Sequence, residues 1–201
     1  MTTAKDLFII AMDPGPGQSV GQGDLSLALA GAELVDLIGA GAAAVDGDRI
    51  VPGEPSAPHD RLLAEAAAGL VRQAPYETAE DWLWRRGRDL SAAYQDVLEE
   101  EGELAQERGG RRFFGSARVE PVDTPARRRA RERWERREPV LVALASAVGV
   151  DVGGTDEEPG VEDEAVSTVL AVVHDAVTEL EAVRQRRTIE NAAFANIWRG
   201  P

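Results

Sequence analysis

The stretch Asp24-Leu25-Ser26-Leu27-Ala28-Leu29-Ala30-Gly31-Ala32-Glu33-Leu34-Val35-Asp36-Leu37-Ile38-Gly39-Ala40 decides how the chain reads. Its leucines, valine and isoleucine fall on nearly all faces of a helix, and a helix that is apolar all round belongs at the centre of a fold. Asp24 can cap it. Upstream, Thr3-Ala4-Lys5-Asp6 has the spacing of a capping box, so a short helix starts at Thr3 and carries Leu7-Phe8-Ile9-Ile10. Residues 13–23, between the two, form a Pro/Gly loop.

Downstream, residues 42–45 and 49–51 flank Asp46-Gly47-Asp48, a strong hairpin signal. Asp60 caps a helix running to about Arg72, and Thr78-Ala79-Glu80-Asp81 opens another that reaches Arg86. A helix over 90–101 stops at Gly102. Residues 104–119, with Arg108-Gly109-Gly110 at their centre, read as a second, longer hairpin. Thr124-Pro125 starts an arginine-rich helix with a cap and a first-turn proline. Its apolar stripe is thin: Ala126, Ala130 and Trp134. An apolar helix covers 139–148, and 151–162 reads as a flexible, acidic, Gly-rich linker. Val166, Val169, Leu170, Val173, Val177, Leu180 and Val183 trace one face of a long amphipathic helix, followed by a last short helix ending near Trp198. The reading is a single mainly helical domain over 1–201 with two small hairpins.

Composition sets the class of protein. A chain of 201 residues with 43% apolar and 29% charged residues is ordinary for one globular domain. It has no cysteine, which excludes disulfides and thiolate metal sites. The apolar run 7–12 is too short for a signal-peptide core, and 139–150 reads as a buried helix, so a cytoplasmic location is expected. Twenty-one arginines against one lysine, with abundant Ala and Gly, fit a GC-rich bacterial genome.

The net charge is -14, yet fourteen of the twenty-two basic residues lie between Arg85 and Arg137, against eleven acidic ones there. A protein this acidic repels nucleic acid and anionic lipid everywhere but in such a region. Two parts of it differ. On the arginine helix, Arg128, Glu132 and Arg136 form one i, i+4 series and Arg131 with Glu135 another, the pattern of a self-paired, solvated surface. Arg85, Arg86 and Arg88 have few close acidic neighbours in sequence, sit at a helix end and follow Trp82 and Trp84. An arginine fork suits phosphate oxygens, so these three are the candidate site for an anionic headgroup.

Two patterns imitate catalytic sites. Gly17-Gln18-Ser19-Val20-Gly21 matches a nucleophile elbow, but a Pro/Gly loop separates Ser19 from the preceding apolar run, and the elbow needs a sharp strand-to-helix turn. Residues 7–46, with Gly15-Pro16-Gly17 and Gly21, imitate the first βαβ unit of a dinucleotide-binding fold. Against it, Pro16 removes an N–H donor, the glycine spacing is wrong and Asp46-Gly47 makes a hairpin where a parallel strand is needed. The carboxylates Asp156, Glu157, Glu158, Glu162, Asp163 and Glu164 lack the alternation of a calcium loop. No metal or cofactor is expected.

Taken together, Leu7-Phe8-Ile9-Ile10-Ala11-Met12-Asp13, Ala30-Gly31-Ala32-Glu33-Leu34-Val35-Asp36-Leu37, Leu62-Leu63-Ala64-Glu65-Ala66, Asp81-Trp82-Leu83-Trp84, Glu101-Gly102-Glu103-Leu104 and Val122-Asp123-Thr124 resemble, in order, segments of the Golgi phosphoprotein 3 family. The resemblance covers nearly the whole chain. It implies a helical core bundle with peripheral helices and a protruding β-hairpin, corresponding to about 104–119. It also implies a non-enzymatic adaptor that binds phosphatidylinositol 4-phosphate on a membrane and captures cytosolic protein tails, with self-association through the hairpin. In this chain the hairpin carries Phe113 and Phe114 near its tip. One pocket arginine of the family falls on Arg88, its companion one turn later on Ser91 and a third on about Ala30. The family's loop tryptophan has no counterpart in 14–23.

The function read from the sequence is therefore a non-catalytic, adaptor-like protein that meets phosphoinositide or other anionic lipid headgroups through Arg85, Arg86 and Arg88, peripheral at the inner face of the membrane. The alternative is a nucleic-acid-binding or regulatory module using the arginine helix. A nucleotide-binding enzyme is the third reading.

Overall fold

In a computed structural model of the protein, residues 2–13, 19–54, 58–104, 123–151 and 160–198 are described here. They form eight helices and one two-stranded antiparallel sheet. The central element is α2 (Gln22–Gly39), where every residue from Leu25 to Leu34 is buried. Ten consecutive buried positions leave no solvent-facing stripe, as the all-round apolar pattern requires. Around it stand α1 (Thr3–Ala11), α3 (Arg61–Ala68), α4 (Ala79–Arg86), α5 (Leu90–Glu100), α7 (Pro139–Ala147) and α8 (Glu164–Trp198), with α6 (Pro125–Glu135) outside α1. Helix α2 packs extensively on α8. A Cβ at Gly31 would run into Val173 of α8, so glycine is what allows the two backbones to approach there.

Helix starts follow side-chain caps. Asp60 accepts from the Leu63 amide at 3.0 Å, Thr78 from Asp81 at 3.0 Å and Thr124 from Arg127 at 3.2 Å, with Pro125 in the first turn of α6. Two expected caps differ. The cap of α1 is Thr2, not Thr3, because the Thr2 hydroxyl accepts from the Lys5 amide. Helix α2 starts two residues before Asp24, after Gly21 and without a side-chain cap. Asp24 instead bonds Arg184 of α8 at 2.6 Å, a charged partner that competes with the weaker capping bond.

The hairpin pairs β1 (Ala43–Asp46) with β2 (Arg49–Pro52), in a register that sets Asp46 opposite Arg49 and turns at Gly47 with φ 60°. Residues 7–11 are helical and this sheet is antiparallel, so the parallel βαβ arrangement does not form. Beyond the hairpin, the Ile50 amide donates to the Glu77 carbonyl and the Ala79 amide to the Asp48 carbonyl. The strand thereby fixes the segment leading into α4.

Helix α3 ends at Ala68, four residues before the expected end, where Gly69 caps it. The last two expected helices are one. Nothing from Glu164 to Trp198 is Gly or Pro, so no residue interrupts the 35-residue α8 once its core stripe ends. The second hairpin, with Phe113 and Phe114, and most of the linker read at 151–162 lie outside the described residues. No helix among those described is long and apolar enough to cross a membrane.

Candidate functional site

Helix α4 carries its two tryptophans and two of the three candidate arginines in one turn and a half. Trp82 is fully buried and its indole N–H donates to the Ala30 carbonyl at 3.2 Å. That fixes the face: Leu83 goes into the core with Trp82, while Arg85 and Arg86 emerge at the helix end. The Arg85 guanidinium lies 5.1 Å from the Trp82 ring and binds Glu77 through two bonds of 2.6 and 2.7 Å. It also donates to the Gly69 carbonyl.

Arg86 turns inward. It holds Glu33 of α2 through two bonds of 2.7 and 2.9 Å, and donates to the Leu62 carbonyl of α3. Glu33 is wholly buried, and the Tyr94 hydroxyl donates to the same carboxylate at 3.0 Å. Burial pushes the Glu33 carboxyl above the ordinary carboxylate range, although Arg86 and Tyr94 pull the other way. Burial and the nearby Glu33 charge push the Tyr94 phenol up as well. Although acidic residues are sparse beside Arg85 and Arg86 in sequence, both are paired in the fold, by partners eight and fifty-three residues away.

Arg88 alone of the three is exposed without an ion pair or hydrogen bond among the described residues. It precedes Asp89, whose φ of 54° marks the sharp corner into α5. Ser91, one turn on, is buried, and its backbone amide donates to the Ser26 hydroxyl, which also lies 2.9 Å from the Ser91 hydroxyl. Ala30 has no exposure at all. Of the three pocket positions carried over from the resemblance, two are thus closed off in the core, Ala30 within α2 and Ser91 against it, and Arg88 is the cation that remains.

The arginine helix α6 also looks inward. Arg129 and Arg133 both bind the buried Asp6 of α1, at 2.8 and 2.6 Å, and Arg133 reaches Glu138 as well. Arg127 pairs with Asp13 at 2.9 Å. Of the pairs expected within the helix itself, Glu132 with Arg136 forms, at 4.0 Å between two exposed side chains. Arg131 makes no ion pair among the described residues. It lines a cleft of about 240 Å³ with Ile9, Ile10, Arg127 and Trp134.

What local sequence could not show is that α1 and α2 supply the buried acids. Lys5 and Asp6 are adjacent, hence about 100° apart on the helix, and serve opposite neighbours. Asp6 takes α6, while the Lys5 ammonium binds Asp60 at 2.8 Å and Glu101 at 2.7 Å. Burial works against the Lys5 charge, but those two carboxylates outweigh it and raise its pKa. Asp36 holds the start of α1, accepting from the Thr3 amide at 2.8 Å, and burial pushes its carboxyl up to about 6. Among the described residues no three His, Asp or Glu side chains are grouped to hold a metal ion.

The arrangement leaves scattered single cations, Arg88 and Arg131, on a helical, acidic body. No curated protein matches the sequence. The sequence model of Golgi phosphoprotein 3 (GPP34) matches residues 4–187, from within α1 to the outer part of α8. With so much of the chain covered, the protein belongs to the Golgi phosphoprotein 3 (GPP34) family.

Proposed function

We propose that the protein is a non-catalytic adaptor of the Golgi phosphoprotein 3 (GPP34) family that meets anionic lipid headgroups at the α4–α5 corner. The observation that carries this reading is Arg88: an exposed cation that makes no ion pair among the described residues, at the corner between α4 and α5, at the position where the family resemblance places a pocket arginine. Arg85 and Arg86 belong to the same site in a supporting role. Their charges are already balanced by Glu77 and Glu33, so they add little attraction for a further anion. Recognition by one free guanidinium is weak and salt-sensitive, on the order of 1 kcal/mol per near-surface charge. Self-association through Phe113 and Phe114 belongs to the same proposal.

Nucleic-acid binding through α6 draws less support, because Arg127, Arg129 and Arg133 face the carboxylates of Asp13 and Asp6. The test is titration with inositol 1,4-bisphosphate, the soluble headgroup, followed by cosedimentation with vesicles that contain phosphatidylinositol 4-phosphate. Wild type should bind at low salt and Arg88→Ser should not, while Arg85→Ser should retain most of the affinity. Equal binding by wild type and Arg88→Ser, or no binding by either, overturns the lipid part of the reading.

A further inference from the structure

Helix α6 meets α1 along a buried stripe of two small side chains, Ala126 and Ala130. On one side of that stripe Arg129 and Arg133 reach Asp6. On the other side Arg127, Arg131 and Trp134 follow one another at helical spacing. There a cleft of about 240 Å³ opens between α6, the end of α1 and the residues that follow α7. A water molecule takes roughly 30 Å³ of the bulk liquid, so the cleft has room for a small organic molecule.

Its chemistry is divided. Ile9, Ile10 and Val150 supply an apolar wall, to which the partly covered Trp134 adds an indole. Arg127 is already bonded to Asp13 at 2.9 Å. Arg131 is different: it is exposed and makes no ion pair among the described residues, although Glu135 lies one turn along α6. Its guanidinium therefore brings unused N–H donors to the edge of an apolar wall. A largely apolar cleft with a few placed polar groups is the usual form of a small-molecule site.

We propose that this cleft binds a monocarboxylate carried on an aromatic or other apolar body. The planar Arg131 fork matches a carboxylate through two parallel bonds, and the body lies against Trp134, Ile9 and Ile10. A phosphate dianion fits less well. Asp13 and Asp151 also line the cleft, and a second negative charge on the ligand would be repelled by them. The carboxylate has two sources, a free organic acid or the last residue of a protein chain. Arg85, Arg86 and Arg88 do not line the cleft, so this binding does not rest on the headgroup reading.

The experiment uses the full chain and follows the indole N–H resonance of Trp134, identified by its loss in Trp134→Phe. Phenylacetate is the free acid, and an acetylated tripeptide ending in phenylalanine is the chain end. Either should move the Trp134 resonance and leave that of Trp82, bonded to the Ala30 carbonyl, in place. Arg131→Ser should weaken binding by more than about tenfold, the effect of losing a charged hydrogen-bonded pair. Arg128→Ser, which removes an exposed arginine paired with Asp123 outside the cleft, should leave it unchanged. Arg131 is exposed and unpaired, so circular dichroism should show its variant folded. Neutral phenylacetamide should bind as weakly to wild type as phenylacetate binds to Arg131→Ser, and phenyl phosphate should bind less tightly than phenylacetate. Tighter binding of the tripeptide assigns the carboxylate to a chain end, and tighter binding of phenylacetate to a free acid. Equal affinity of wild type and Arg131→Ser, equal binding of the amide and the acid, or a Trp134 resonance that neither acid moves overturns the proposal.

Discussion

The α4–α5 corner and helix α6 are both arginine-rich, and each sends arginine to a buried acid on another helix, Arg86 to Glu33 and Arg129 with Arg133 to Asp6. They differ in where the acid's partners lie. Glu33 has no exposure, and the side chain of its partner Arg86 is 18% exposed. Asp6 is as deeply buried, but Arg129 and Arg133, which satisfy it, are 41% and 28% exposed. An unpaired guanidinium at the surface returns to water, whereas an unpaired carboxylate inside the bundle cannot. Charge density along the sequence therefore overstates the field a ligand meets at either place. Arg88 at the corner and Arg131 on α6 retain that field.

The largest effect should come from separating Arg86 and Glu33. Arg86→Ala leaves the Glu33 carboxylate buried with only the Tyr94 hydroxyl, at a cost of about 3–5 kcal/mol. Without Arg86, the Glu33 carboxyl, already raised by burial, rises further, so the deficit should shrink as pH falls. Urea unfolding at neutral and acidic pH checks both points. Equal deficits at the two pH values would show that the loss is one of packing and not of charge.

Removing the acid from the other region should cost less. Asp6→Ala frees Arg129 and Arg133, which regain solvent, and Arg133 keeps Glu138. About 1–3 kcal/mol is expected, the cost of lost charged hydrogen bonds without a stranded charge. A loss equal to that of Arg86→Ala would mean that α6 depends on Asp6 for its docking as α4 depends on Glu33.

A third acid, half-buried, sharpens the contrast because backbone amides, not an arginine, hold it. Asp36 accepts from the Thr3 and Ala4 amides at the start of α1, and its folded pKa of about 6 lies above the ordinary 3.8. The folded state thus binds this proton more tightly than the unfolded chain. Stability contributed by Asp36 is full below about pH 4 and declines as pH rises to about 6, by up to roughly 3 kcal/mol. Asp36→Asn keeps an acceptor for the amides and has no charge to bury. Relative to wild type, the variant should gain stability between pH 4 and pH 7 in urea unfolding. A constant difference across that range would show that the carboxyl ionises at its ordinary value.

These residues also show what the sequence could and could not disclose. Helix α2 was legible because burial on all sides leaves its mark on every face of one segment, and Thr78, Asp60 and Thr124 were legible because a cap acts within three residues. Family membership was legible through short segments kept in order along the chain. Asp24 misled, because Arg184, a hundred and sixty residues on, claims its carboxylate. The end of α8 misled for a related reason: an apolar stripe marks where a helix meets the core, not where it stops. The three candidate arginines were singled out by type and position, yet two of them, Arg85 and Arg86, are balanced by Glu77 and Glu33, which only the folded bundle brings to them.

The smallest effect should fall on Glu132 and Arg136, the pair whose i, i+4 spacing was visible in the sequence. Their side chains are 64% and 77% exposed and their closest approach is 4.0 Å. At such a site the Coulomb gain is largely screened, and ordering two long side chains consumes most of what remains. Glu132→Ala should therefore change stability by less than about 0.5 kcal/mol, with no salt dependence beyond that of wild type. The docking of α6 would then reside in the arginines that cross to Asp6, whose spacing along α6 gives no hint of their partner. A loss above about 1 kcal/mol in urea unfolding would overturn that division, because it would show the outer face of the helix, and not its reach to α1, holding α6 in place.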